Sequence, residues 1–236
     1  MIKAVNIELL PFLKLVESNF VLDGIGDMLD NIFRRLNMQF TGAVVAGFAK
    51  NTASQMVEKV DKNNKRRFDK TVEKVTGVDL GGVILSEGLS DFVELSINKN
   101  VSLIKSLPEE YLKSVETIVN NGVVNGTRYS EIAKQITAKV GSANAKLAGR
   151  IKTIARNEVQ TINSQISLRR NQALGIKKGV YVTSDDERVR PCHAELDGKE
   201  YDLSKGAWST KCQKFIQPGI TDINCRCSFR PVIEVD

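Results

Sequence analysis

Five side chains suited to binding a soft metal lie at or beyond position 192 of this 236-residue chain: Cys192, His193, Cys212, Cys225 and Cys227. No cysteine precedes Cys192, and His193 is the only histidine. Thiolate and imidazole are the usual ligands of a tetrahedral zinc, which takes four. Side chains two apart on an extended strand share a face, so Cys225 and Cys227 are expected to act together. The adjacent Cys192 and His193 reach one metal only where the backbone turns sharply. This is not the spacing of a standard zinc finger, and it leaves open a zinc site, buried reduced thiols or disulfides. A cytoplasm, where thiols stay reduced, favours the first two.

Other chemistry finds less support. His193 with Cys192, Cys225 or Cys227 would supply a base and a nucleophile, but nothing in the sequence orients such a pair. Asp185, Asp186 and Glu187 precede Arg188 and read as a salt-linked loop rather than a hard-cation site. There is no P-loop, no G-x-G-x-x-G after a strand and no His-Glu-x-x-His. A non-enzymatic protein is expected.

A second group of residues carries charge. Thr137 to Lys178 holds nine basic residues and one acid, Glu158, so its net charge of +8 exceeds the chain's +6. Lys146, Arg150, Lys152, Arg169, Arg170, Lys177 and Lys178 are the candidate contacts to phosphate or to an acidic protein surface. A solvated helix face would carry the same charges.

The elements that must position these residues are mostly helices. Hydrophobic residues make up 42% and charged residues 26% of the chain, with five prolines, which is ordinary globular usage. The longest uncharged apolar run, Gly42 to Ala49, is far too short to span a bilayer, and Met1 to Phe20 does not read as a signal peptide. Synthesis and folding in a cytoplasm are expected. Apolar residues at helical spacing predict one long or two consecutive helices over Gly24 to Val60. An exposed helix or connector over Asp61 to Lys74 follows, then a helix from Ser86 to Leu107 and another starting at Pro108. After turns at Gly126 and Gly141, a helix capped by Ser142 runs to about Leu174, with Leu147, Ile151, Ile154, Ala155, Ile162 and Ile166 as its inward stripe. Glu158 falls on that stripe, where a carboxylate needs a partner. From Gly175 the texture changes to short strands near Gly179–Thr183, Lys199–Leu203 and Cys225–Val235. The expected fold is α+β: a mainly helical N-terminal part and long helices, then a small loop-rich β region that a metal would help to staple. A division into 1–82, a helical docking region, and 83–236 is expected.

The order of parts in the second half is recognisable. Ala155-Arg156-Asn157-Glu158 on a helix precedes Tyr181-Val182-Thr183-Ser184 and then Asp186-Glu187-Arg188-Val189-Arg190-Pro191-Cys192-His193. Asp197-Gly198, Pro218 and Asn224-Cys225-Arg226-Cys227 come after. This combination closely resembles the head-morphogenesis domain of tailed phages, the phage Mu protein F-like minor head proteins, from about Leu112 to Ile233. The sequence departs from the family's usual threonine at Asn157 and its frequent serine or threonine at Cys192.

The resemblance implies a minor capsid component at the portal vertex inside the phage head, made in the host bacterial cytoplasm. It would aid head assembly and DNA packaging or delivery and leave with the DNA. Portal protein, capsid or scaffold proteins and non-specific double-stranded DNA are the implied partners, and no membrane. A structural zinc would be held by Cys192, His193, Cys225 and Cys227, with Cys212 and Asp186 as alternatives to Cys192. An ion pair from Glu158 to Arg188 or Arg190 would fasten the long helix to the β region. The alternatives are an injected effector acting through His193 and a cysteine or metal, for which no room for a catalytic domain is expected after Cys227, and an assembly factor absent from the mature particle.

Overall fold

A computed structural model describes residues 2–19, 25–79, 89–125 and 127–233. Five long helices come first: α1 (Ile2–Asn19), α2 (Ile25–Thr41), α3 (Ala43–Thr76), α4 (Leu89–Val124) and α5 (Tyr129–Ala173). A β region follows, with β1 (Lys178–Val182), the single turn α6 (Pro191–Ala194), β2 (Glu200–Asp202), β3 (Ala207–Ser209), β4 (Lys214–Ile216) and β5 (Ser228–Pro231). This is the α+β class expected from the sequence.

The chain divides into two compact units, Met1–Ala53 with Asn98–Ile151, and Ser54–Ile97 with Lys152–Asp236. Each is therefore assembled from two separated stretches of sequence. The expected boundary at Gly82, the helix start at Ser86 and the turn at Gly126 lie outside the described residues.

In the first unit, residues three and four apart build one helical core. Val5, Leu9 and Leu13 of α1 pack with Leu29, Ile32, Phe33 and Leu36 of α2. Tyr111, Leu112, Val115 and Val119 of α4 and Ile132 and Ile136 of α5 complete it. Pro108 lies inside α4 rather than opening a helix, although a proline there leaves one carbonyl of the preceding turn without its N–H partner. Gly141 likewise sits within the unbroken α5.

In the second unit, Val57, Phe92, Ile162 and Ile166 form a small helical core. The Asp61–Lys74 stretch is not only an exposed connector, because α3 buries Asn64, Phe68 and Val72 along one face. The Asn64 amide donates to the Asn163 carbonyl at 3.1 Å and to Ser167 Oγ at 2.7 Å, which fixes α3 against α5. The inward stripe of α5 is shifted from the expected one. Ile151 is 45% exposed, whereas Glu158, Ile162, Ile166 and Arg170, at steps of four, are all buried.

The β region has its own core of Tyr181, Leu196, Tyr201, Leu203, Ala207, Ile216 and three cysteines. β1 is central in an antiparallel sheet of order β2-β1-β5, with Gly179 opposite Tyr201 and Tyr181 opposite Phe229. Gly179 is required by close approach, since a Cβ there would meet Leu203 at 2.8 Å and Phe229 at 3.1 Å. β3 and β4 form a separate hairpin that sequence patterning missed, because three-residue strands leave almost no alternation to detect.

Candidate metal centre

His193 comes from α6, which Pro191 opens at the helical position where its missing N–H costs least. Cys192 and His193 are both buried, yet they do not converge. Successive residues on a helical turn point about 100° apart, so the two cannot face one centre from one turn. Cys192 is instead joined in a disulfide to Cys212, with Cα atoms 5.6 Å apart, because the β3–β4 hairpin carries Cys212 up beside α6. This corrects the expected ligand set: Cys192 is not a ligand, and Cys212 is not available to replace it.

Cys225 and Cys227 approach from the loop before β5, and both are buried and free. Their loop is pinned to α5 by the Asn224 N–H, which donates to Asn157 Oδ1 at 2.7 Å while Asn224 holds a φ of 59°. Asn157, the departure from the family's threonine, thus accepts the bond that seats the Cys-Arg-Cys loop. The Gly219 N–H donates to Cys225 Sγ at 3.4 Å. Glycine is needed there twice over, for its φ of +72° and because a Cβ would collide with the Ser164 hydroxyl of α5.

His193, Cys225 and Cys227 place one ligand atom each within 4.8 Å of one another. His193 Nδ1 lies 3.5 Å from Cys225 Sγ and 3.4 Å from Cys227 Sγ. A tetrahedral zinc about 2.1 Å from nitrogen and about 2.3 Å from sulfur separates those two ligands by roughly 3.5 Å, so both nitrogen-to-sulfur spacings match such an ion. Tyr181 of β1 adds a fully buried hydroxyl 3.1 Å from the same Nδ1. None of the expected fourth ligands joins the group. Asp186 forms a two-point ion pair with Arg226, both contacts at 2.5 Å.

The electrostatics match a site for a cation. Cys225 is drawn down to about 5, first by its hydrogen bond with Cys227 and then by the Gly219 N–H and the nearby His193, against the opposing effect of burial. Cys227 is pushed far above the ordinary thiol value by its bond to Cys225 and by burial. Burial pushes the Asp222 carboxyl up, but hydrogen bonds from Lys214 and His193 outweigh it and hold the group below the usual carboxylate range. The contacts are His193 Nε2 to Asp222 Oδ2 and Lys214 Nζ to Asp222 Oδ1, each 2.8 Å.

The Asp-x-Arg-x-Arg-x-x-His and Cys-Arg-Cys segments therefore grip each other at several points. Besides the Asp186–Arg226 pair, Arg190 donates to the Ile223 carbonyl at 2.9 Å. The Arg188 main-chain N–H donates to Asp186 Oδ1 at 3.0 Å, and its side chain is exposed. Glu158 is buried on α5, and Asn157 Nδ2 donates to it at 3.5 Å. Asn157, Tyr181 and Asp222 were missed by sequence reading. Asn157 and Tyr181 lie within the recognisable motif segments, whereas Asp222 lies outside them.

The basic candidates separate. Arg170 is 4% exposed and bonds Asp61 Oδ1 at 2.7 Å and Asn64 Oδ1 at 2.5 Å. It is not a surface contact, because its step of four from Ile166 turns it inward. Arg169 is exposed, with its guanidinium 4.7 Å from the centre of the Phe92 ring. Arg150, in the first unit, forms a two-point pair with Glu110, one contact at 3.0 Å. Lys178 pairs with Glu200 at 3.3 Å, while Lys152 and Lys177 are exposed. The side chain of Lys146 lies outside the described residues.

Residues 113–230 match the family described as phage Mu protein F like protein. An uncharacterized protein of Haemophilus influenzae is 32% identical over 187 residues, which cover 79% of this chain and 40% of that protein. A protein of Enterococcus faecalis named NAD(+)--arginine ADP-ribosyltransferase EFV is 29% identical over 131 residues, 53% of this chain and 27% of that one. The chain thus spans less than half the length of these curated relatives. No solved structure matches.

Proposed function

The chain belongs to the phage Mu protein F-like family of phage head-morphogenesis proteins, and from that membership we propose that it is a minor head protein associated with the portal vertex. In this proposal it lies inside the head, contacts portal and capsid or scaffold proteins, aids packaging or delivery of DNA, and leaves with the DNA at infection. The match over residues 113–230 is the observation that carries the reading.

In this reading the role is structural rather than catalytic, and the burial of His193, Cys225 and Cys227 supports it. Those same residues would hold a zinc ion, which supplies cross-linking of the β region where its apolar core is small. The bond from the Asn224 N–H to Asn157 would add a second tie from α5. Lys152, Arg169, Lys177 and Lys178 would meet the phosphate backbone of double-stranded DNA without sequence preference. Among the described residues no helix is long and apolar enough to cross a membrane.

The test is to quantify the chain against the portal protein in purified particles before and after triggered DNA release. A few copies per portal, lost on emptying, is the expected result. Absence from finished particles would overturn it in favour of an assembly factor.

The ADP-ribosyltransferase name of one relative favours a second reading, that of a segment of an injected effector. Transfer of label from labelled NAD to an arginine-bearing acceptor by the purified chain would support it.

A further inference from the structure

The Asp222 carboxylate touches the one ring nitrogen of His193 that faces away from the thiols, and nothing in the family motifs assigns it a role. His193 Nε2 is 2.8 Å from Asp222 Oδ2, and the other carboxylate oxygen is held by Lys214 of β4, also at 2.8 Å. The opposite nitrogen, Nδ1, faces Cys225, Cys227 and Tyr181 at 3.5, 3.4 and 3.1 Å. A hydrogen on Nε2 can be donated to the Asp222 carboxylate at this distance, and the neutral tautomer that makes this bond turns its Nδ1 lone pair toward the thiol pair.

We propose that Asp222, steadied by Lys214, is a positioning residue that fixes the tautomer and ring angle of His193 so that Nδ1 is presented as a metal ligand. The metal half of this inference rests on the zinc reading above; the tautomer half does not. A carboxylate behind a ligating histidine fixes its tautomer and raises its basicity, and loss of such a partner typically weakens metal binding 10- to 100-fold. Without Asp222 the Nε2 hydrogen loses its acceptor, and a ring with its hydrogen on Nδ1 offers the ion no lone pair. Lys214 and Asp222 bracket the β3–β4 hairpin and the Cys-Arg-Cys loop, so the arrangement also explains why that hairpin lies beside the centre.

His193 is the only histidine of the chain, so its ring nitrogens can be read without assignment ambiguity. The experiment is nitrogen NMR of the full chain labelled at histidine, reduced and metal-free, then loaded with Zn²⁺ alone, for wild type, Asp222→Ala and Asp222→Asn. The wild type is expected to carry its hydrogen on Nε2 in both states. Asp222→Ala is expected to shift hydrogen onto Nδ1 and to weaken Zn²⁺ binding 10- to 100-fold in competition with a chelator. Asp222→Asn keeps the shape and one acceptor oxygen, so it should keep the fold and lie between the two. Hydrogen on Nδ1 in the metal-free wild type, or an Asp222→Asn protein with the wild-type tautomer and Zn²⁺ affinity, would overturn the proposal. Should wild type bind no Zn²⁺, the zinc reading fails by itself, and the metal-free tautomer still decides for or against Asp222.

Discussion

Replacing Arg170 and replacing Lys177 should do different things, although the sequence puts both in one basic run. Arg170 is buried against Asp61, whose side chain is 31% exposed, so Arg170→Ala leaves a partly shielded acid and the Asn64 amide oxygen without their donor. Melting or urea unfolding should show a loss of about 2–3 kcal/mol, below the full cost of a completely buried pair. Lys177→Glu with Lys178→Glu should change stability by no more than about 0.5 kcal/mol, while lowering DNA retention and flattening its dependence on salt. Equal retention by wild type and this double variant would remove the DNA contact from the account. The sequence showed which residues were charged but could not show which were inward, because the apolar stripe of α5 is interrupted by Glu158 and Arg170, which share its phase. The metal cluster was legible in part for the same kind of reason. Cys225 and Cys227 share a motif and meet His193 from the loop before β5, whereas Cys192 is next to a candidate ligand in sequence and joined to Cys212 in space.

At the scale of elements, the loop-rich β region is held by ties between pieces that are individually too short to persist. β2, β3 and β4 have three residues each, and the disulfide between Cys192 and Cys212 closes a loop with a sequence separation of 20. Replacing both cysteines by serine should lower unfolding stability by about 3 kcal/mol, read from the urea midpoint under non-reducing conditions. A midpoint equal to wild type would mean that the hairpin is held without the bond. Gly219→Ala tests the seat of the Cys-Arg-Cys loop against α5. Strain at its φ of +72° and the clash with Ser164 should cost at least about 1 kcal/mol and weaken metal retention together. The long helices were legible because residues such as Leu29, Ile32, Phe33 and Leu36 repeat at helical spacing. Their ends were not: Pro108 and Gly141 look like breaks in sequence, but α4 and α5 run through them. The hairpin and α6 left no readable pattern, since a three-residue strand or a single turn owes its shape to tertiary contacts rather than local preference.

The whole molecule has separate cores, one of α1, α2, α4 and α5 in the first unit and those of α3–α5 and the strands in the second. Removing a metal from the centre should therefore be felt unevenly. Hydrogen exchange after chelation should lose protection from Lys178 to Pro231 and keep it in the helices around Val5, Leu36 and Val119, and uniform loss would contradict this division. The family's fold and its motif segments were legible because several moderately specific pieces occur in a fixed order. The interlock between them was not, since the Asp186–Arg226 pair and the Asp222–His193 contact join residues whose nearness only the folded chain creates. The proposed zinc at His193, Cys225 and Cys227 would join the two motif segments of the chain. Native mass spectrometry of the full chain, purified reduced and without chelator, tests it most directly. One zinc per wild-type chain, lost from His193→Ala and from Cys225→Ser, is the expected mass. A metal-free wild-type mass, with exchange protection unchanged by chelator, would contradict it.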